Sequence, residues 1–245
     1  RTAMLMYSKA AVLDPLHAGF HNYRGILNME ANNLTNAKND IKKAILLVPT
    51  MYGYLNTLGD IFYGLGDQRA VLQQFSRSRL INEKSLFADV KLVIYYFIFG
   101  NAELARRLMA SLVEKQKLID AKHDQWDEKN KPMITAYTNF IGRLLENDML
   151  YKQAIWQGDV IHHLGESHSL SYANCFLEIG GKPHKIQPHL VVGAKAWHFA
   201  MDEISNFKAF FENGIEHVSD GEKVLLSFGE IDCRHDEGII YHCGK

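Results

Sequence analysis

Three phrases of this chain recur at one fixed interval: YSKAAVLDP begins at Tyr7, IKKAILLVP at Ile41 and FSRSRLINE at Phe75. Pro15 and Pro49 keep the same interval, as do Gly25 and Gly59, and a further step reaches Met109 and Leu112 in register with Phe75 and Ser78. A period of about 34 residues belongs to stacked helix pairs, each of which buries its apolar face on the next. The residue types fit such a stack. Gly25 and Gly59 mark places where the two helices of one repeat approach closely. Ala37, Val71 and Ala105 share one inter-helix register, Ala10, Ala44 and Ser78 another, and Tyr7, Ile41, Phe75 and Met109 supply the bulk between them. Pro15 and Pro49 close the second helix of a pair, because proline lacks the amide hydrogen that a continuing helix needs. Gly66, in GLGD, suits the turn inside a pair, and Gly100 takes the same place one period later.

On these residues the segment 1–116 resembles the tetratricopeptide repeat family, with Ala18–Pro49 and Tyr52–Glu83 as its clearest repeats. The resemblance departs at Glu83, which replaces the closing proline, and at Val93, which stands where a third contact glycine would be. Arg1 to Pro15 read as only the second helix of a repeat, so further sequence upstream is expected. The resemblance implies a concave surface for a protein or peptide partner. The residues alone fit equally a spacer, or a scaffold for the domain after it.

Residues 117–157 read as a helical bridge or cap. EKQKLIDAKHDQWDEKNK is a mixed-sign, solvated run. Pro132 fits the first turn of a helix, and Ile134, Tyr137, Ile141 and Leu144 follow at helical spacing. From Asp159 the rhythm changes. DVIHHLG, PHLVVGA and EKVLLSFGE are short strand-like runs ending in glycine, and AKAWHFAMDEISNFKAFFENG between the last two reads as one helix with Phe199, Ile204, Phe207, Phe210 and Phe211 on its apolar side. Strands alternating with helices imply a parallel sheet, whose ligands gather beyond the carboxyl ends of the strands. Those ends are GESHS, GAKAWH and GEIDCR.

GESHS (Gly165 to Ser169), Gly193 in VVGAKAWH and GEID (Gly229 to Asp232), in that order, resemble the first three sequence blocks of the SGNH/GDSL hydrolases. The fold class expected is therefore α, for the tetratricopeptide-like helical repeats, followed by α/β: residues 158–245 would be the N-terminal part of a three-layer, parallel-sheet SGNH-like domain. The resemblance implies Ser167 as a nucleophile for an ester or acylated carbohydrate, with the amides of Ser167 and Gly193 as oxyanion donors. Gly229 and Asp232 would shape the pocket, and Glu166, His168, His198, Glu230 and Arg234 would line it for a ligand. Two departures bear on activity. Ile231 stands where the family has an asparagine, and isoleucine donates no hydrogen bond. The family's DxxH block, which brings the catalytic acid and base, is not found and is expected beyond Lys245; without a base, serine is a weak nucleophile. The alternative expectation is a non-catalytic interaction scaffold with an inert or ligand-binding SGNH-like domain. Taken alone, Ser167 also fits a helix N-cap, and Trp197 fits the core better than a sugar-stacking surface.

Composition narrows the partners. A formal net charge of -1 gives no reason to expect nucleic acid. The longest apolar run, Leu92 to Phe99, falls far short of the roughly 20 residues a membrane helix needs, so it reads as a buried helix face. Cys175, Cys233 and Cys243 form no disulfide framework, and with no leader visible a cytoplasmic setting is expected. GGKPH (Gly180 to His184) reads as a turn between short strands and lacks the spacing of a phosphate loop. The histidines of the second half match no zinc spacing, so neither a metal nor a cofactor is expected.

Overall fold

The helices keep the period of the sequence. The computed structural model describes residues 2–122, 130–146 and 156–233. The first helices of the pairs, α2 (Ala18–Glu30), α4 (Tyr52–Gly64) and α6 (Leu86–Ile98), start one full period apart. So do their second helices α3 (Leu34–Leu47), α5 (Gln68–Ile81) and α7 (Ala102–Lys122), while α1 (Thr2–Leu13) ends one period before α3. The expected close approaches are present: a Cβ on Gly25 would fall 2.6 Å from Ile41 Cδ1, and one on Gly59 would fall 2.5 Å from the Phe75 ring. Ala37, Ala44, Val71, Ala105, Ile41 and Phe75 are buried throughout. Tyr7 is only half-buried and stacks on Tyr23.

Two details revise the sequence reading. Helix α5 ends at Ile81, in the register of Leu47 at the end of α3, although Glu83 replaces proline there. The helix closes on Asn82, whose amide donates to Ser78 O, so proline is not required for the ending. The turns inside the pairs need a left-handed residue at one register, filled by Gly66 (φ 71) and Gly100 (φ 78) and, one period earlier, by Asn32 (φ 56). Asparagine tolerates that conformation better than other residues with a side chain. The turn is held by Asp67 N–H to Phe62 O and Asn101 N–H to Tyr96 O, and the side chains of Asp67 and Asn101 cap the helices that follow.

Helix α6 is apolar almost all round and almost wholly buried, as LVIYYFIF implies, yet it carries two charges. Lys91 donates to Asp60 at 2.9 Å, and buried Asp89 takes Arg79 at 2.6 Å and Lys115 at 2.5 Å. Helix α8 (Lys131–Leu145) opens with Pro132 in its first turn and buries Ile134, Tyr137 and Ile141. No helix among the described residues is long and apolar enough to cross a membrane.

The chain divides into two compact units. One holds residues 1–28 and 34–152, the other residues 29–33 and 153–245. The second contains a four-stranded mixed sheet in the order β2-β3-β1-β4. The strands are β1 (Val160–Gly165), β2 (Phe176–Ile179), β3 (Lys182–Leu190) and β4 (Lys223–Ser227). β1 pairs in parallel with both β3 and β4, and β2, the short strand before the Gly180–Gly181 turn, adds an antiparallel edge. Of GGKPH only Gly180 and Gly181, both with positive φ, form the turn that joins β2 to β3; Lys182, Pro183 and His184 already belong to β3 and pair with β2. β3 begins earlier than PHLVVGA and runs through Pro188, which lies past the end of the β2 pairing and so withholds no amide from that neighbour. The stretch read as one helix is two, α9 (Ala196–Ala200) and α10 (Asn206–Glu216). Met201–Ser205 interrupts them, Ser205 caps α10, and Ile204 faces solvent, off the expected apolar side.

Candidate functional site

Parallel pairing brings three strand ends to one edge, with Gly165 level with Leu190 on one side and Ser227 on the other. β1 is the central strand of the three, so its carboxyl end is the switch point where the loops on either side diverge. GESHS, Gly193 and GEID all follow at this edge. Gly165 has no room for a side chain, since a Cβ there would press on Ser227 and on Ser169.

GESHS opens a short 3₁₀ helix, Ser167–Tyr172. Its cap is Glu166, whose carboxylate accepts the His168 amide at 3.1 Å and the Ser167 hydroxyl at 3.0 Å. The N-cap role considered for Ser167 therefore falls one residue earlier. Glu166 is 1% exposed, Ser167 partly exposed and His168 exposed. His168 Nδ1 stands 2.9 Å from the Glu166 carboxylate and 3.7 Å from Glu230 Oε2. Among the described residues Glu166 is the one hydrogen-bond partner of the Ser167 hydroxyl.

Asp232 joins two of the loops. Its carboxylate accepts the Ala196 amide at 2.6 Å and lies 3.5 Å from the Trp197 amide, tying the segment after β4 to the start of α9. Gly193 (φ 70) and Gly229 (φ 111) hold conformations that residues with side chains rarely adopt. His198 accepts the Lys195 amide on Nδ1 and stacks on Phe207 with ring centroids 4.0 Å apart. Desolvation, then the Lys195 charge, lowers its pKa. Trp197 is 38% exposed, so it is no core residue, contrary to the sequence reading. Arg234 and the side chain of Ile231 lie outside the described residues, as do His235, His242 and Cys243.

Two features escaped sequence reasoning. Beneath the turn, buried His163 holds the Ser227 hydroxyl at 2.8 Å through Nε2, while His163 Nδ1 and the Ser169 hydroxyl have no partner among the described residues. Burial lowers the His163 pKa and the Glu166 charge opposes that shift. Elsewhere in the sheet, His162 Nδ1 lies 2.8 Å from His189 Nε2 and His162 Nε2 lies 3.0 Å from Glu222. Both contacts are satisfied when His189 donates to His162 and His162 donates to Glu222. His189 is held neutral, its pKa lowered to about 4 by burial and by the neighbouring His162 and His217. These contacts join residues far apart in the chain, and only strand register brings them together.

In the repeat unit, Met4, Ser8, Arg24, Asn28, Asn36, Asn39 and Asp40 line a cleft of about 450 Å³ between α1, α2 and α3. Arg24 and Asn28 both donate to Asp40, the latter at 3.0 Å.

No family model matches the chain, and no curated protein does. Among solved structures it is similar to a crystal structure of MamA, at 19% identity over 49% of this chain and 69% of that one, TM-score 0.46. A second MamA structure is 16% identical over 63% of this chain and 87% of that one, TM-score 0.43. A Thermobaculum terrenum O-GlcNAc transferase mutant is 11% identical over 66% of this chain, which spans 27% of the transferase chain, TM-score 0.43.

Proposed function

We infer that this chain is an interaction scaffold whose helical repeats take a protein or peptide partner, with a small-ligand site at the strand ends of its second unit. The observation that carries the reading is the polar cleft of α1–α3. Three asparagines, Asn28, Asn36 and Asn39, line it beside the Arg24–Asp40 pair. Side-chain amides both donate and accept, which is what the backbone of an extended peptide asks of a surface. Selection of a displayed peptide library against the protein is the test, followed by calorimetry on an enriched peptide. Replacing the three asparagines by alanine should weaken that peptide roughly tenfold or more, the loss of about 1.4 kcal/mol. Enrichment of no peptide, or unchanged affinity in the triple variant, refutes the reading.

A second reading has its own support in the order of GESHS, Gly193 and GEID along one sheet edge. It is the SGNH-like ester or acyl hydrolase, acting on an ester or an acylated carbohydrate, with Ser167 as nucleophile and Gly193 and the Ser167 amide as oxyanion donors. The bonding of Ser167 to a carboxylate, with no imidazole among its partners in the described residues, places this reading second. Turnover of a chromogenic short-chain ester decides it. Hydrolysis that Ser167→Ala abolishes would move the enzyme ahead of the scaffold, and equal rates in both proteins would remove the serine mechanism.

A further inference from the structure

At the carboxyl ends of β1 and β4 two carboxylates converge on one imidazole. One donor atom each from Glu166, His168 and Glu230 lies within 4.8 Å of the others. We propose that these three residues form a binding site for a divalent metal ion of the manganese, iron or zinc kind. An ion about 2.1 Å from each donor sets the donors roughly 3.0–3.4 Å apart. The separations of 2.9 Å for Glu166 to His168 and 3.7 Å for His168 to Glu230 bracket that range. Two carboxylate oxygens and an imidazole nitrogen are a donor set these ions accept.

Charge supplies an independent argument. Glu166 is almost fully buried, and its side-chain partners among the described residues are the Ser167 hydroxyl and the amide and ring of His168, with no lysine or arginine. A buried carboxylate is costly unless it is compensated. Here a second carboxylate, Glu230, faces the same imidazole. A divalent cation would compensate the buried Glu166. Beneath the turn, His163 Nδ1 is buried without a partner among the described residues, and His163 lies within electrostatic range of Glu166.

Position supports it further. The three residues stand at the switch point of the parallel strands, where open α/β sheets place their ligands. Glu166 and His168 are fixed by the strand end and the 3₁₀ turn, and Glu230 arrives from the loop after β4. His168 and Glu230 are each about half exposed, so coordination positions stay open to water or to a ligand. The site shares its crevice with the proposed small-ligand site but depends on neither peptide binding nor Ser167 chemistry.

The test is titration of the chelator-stripped protein with Mn²⁺ alone, the free ion being read by electron paramagnetic resonance. One ion per chain is expected, with affinity falling roughly tenfold or more in His168→Gln and in Glu230→Gln. Both residues are exposed, and an unchanged far-UV spectrum confirms folding. The distant Glu178→Gln should bind as the parent does. No retention by the parent overturns the proposal. So does retention that both His168→Gln and Glu230→Gln leave unchanged, which places the ion at other histidines or cysteines. If the parent binds nothing and Arg234→Ala binds one ion, arginine is the natural counter-charge and the proposal fails.

Discussion

Replacing Gly59 by alanine probes the contact on which the repeat depends. A Cβ there would lie 2.5 Å from Phe75 Cε2 and 2.9 Å from Cδ2 and Cζ, against the roughly 3.5–4.0 Å of an ordinary carbon contact. The ring cannot withdraw easily, being fully buried with Tyr95 packed 5.4 Å away and Lys91 over its face. Overpacking of this kind costs about 1–3 kcal/mol, and alanine returns about 0.5–1 kcal/mol over glycine within a helix. The net expectation is a loss of about 1 kcal/mol. Gly53 lies on the same helix, and a Cβ there meets nothing within 4 Å. Gly53→Ala should therefore gain about 0.5 kcal/mol, the low end because it sits in the first turn. Gly25→Ala should lose stability as well, since its Cβ would meet buried Ile41 at Cδ1 (2.6 Å) and Cγ1 (2.8 Å) and the Ala37 carbonyl at 3.3 Å. Urea unfolding followed by far-UV circular dichroism gives the midpoints at constant slope. Phe75→Leu should recover stability in the Gly59→Ala background, a coupling the double-mutant cycle isolates. Gly59→Ala as stable as Gly53→Ala would refute the packing argument.

Asp89 holds Arg79 and Lys115 from a buried position on α6, so Asp89→Ala strands two partly exposed cations and should cost about 2–3 kcal/mol, whereas Glu103→Ala, which breaks the exposed pair with Arg107, should stay within about 0.5 kcal/mol in the same urea assay. The folded state holds the His189 pKa near 4, below the 6.5 of a free histidine, so the unfolded chain binds the extra proton between those values. Stability of the second unit should therefore be complete above about pH 6.5 and fall toward pH 4, by on the order of 3 kcal/mol at most. His189→Gln should flatten that slope in denaturation midpoints measured across the range, and an unchanged slope would contradict the assignment.

The repeat was legible because its contacts repeat in the sequence. Gly59 meeting Phe75 joins two registers of one period, and each register recurs in the neighbouring repeat as Gly25 and Ile41. Asn32 shows the limit: its left-handed turn matched Gly66 and Gly100 in position but not in residue type. The second unit has no such redundancy. Glycine-ended runs marked its parallel strands, but exposed β2 has no alternating burial and was signalled only by the turn that follows it. The break at Met201–Ser205 lies inside an apolar pattern that reads as continuous. Glu166, His168 and Glu230 were all marked as ligand residues, yet nothing in their spacing said that an imidazole would stand between the carboxylates. That follows from strand order, which pattern alone does not specify.

The fixed interval between helix starts also bears on the order of events in time. Each helix pair packs on the pair beside it, so the first unit is built from contacts between segments close in sequence. Such contacts close short loops and form fast, and they are available while a chain is still emerging during synthesis. The sheet works on the opposite schedule. Its central strand β1 is made first, but it waits for β3 at Lys185–Leu190 and for β4 at Lys223–Ser227 before both of its edges are paired. The segment bearing the candidate site is thus among the last to acquire its structure. Until then HHLGES is an unpaired strand end, and the helical repeats have already had time to fold.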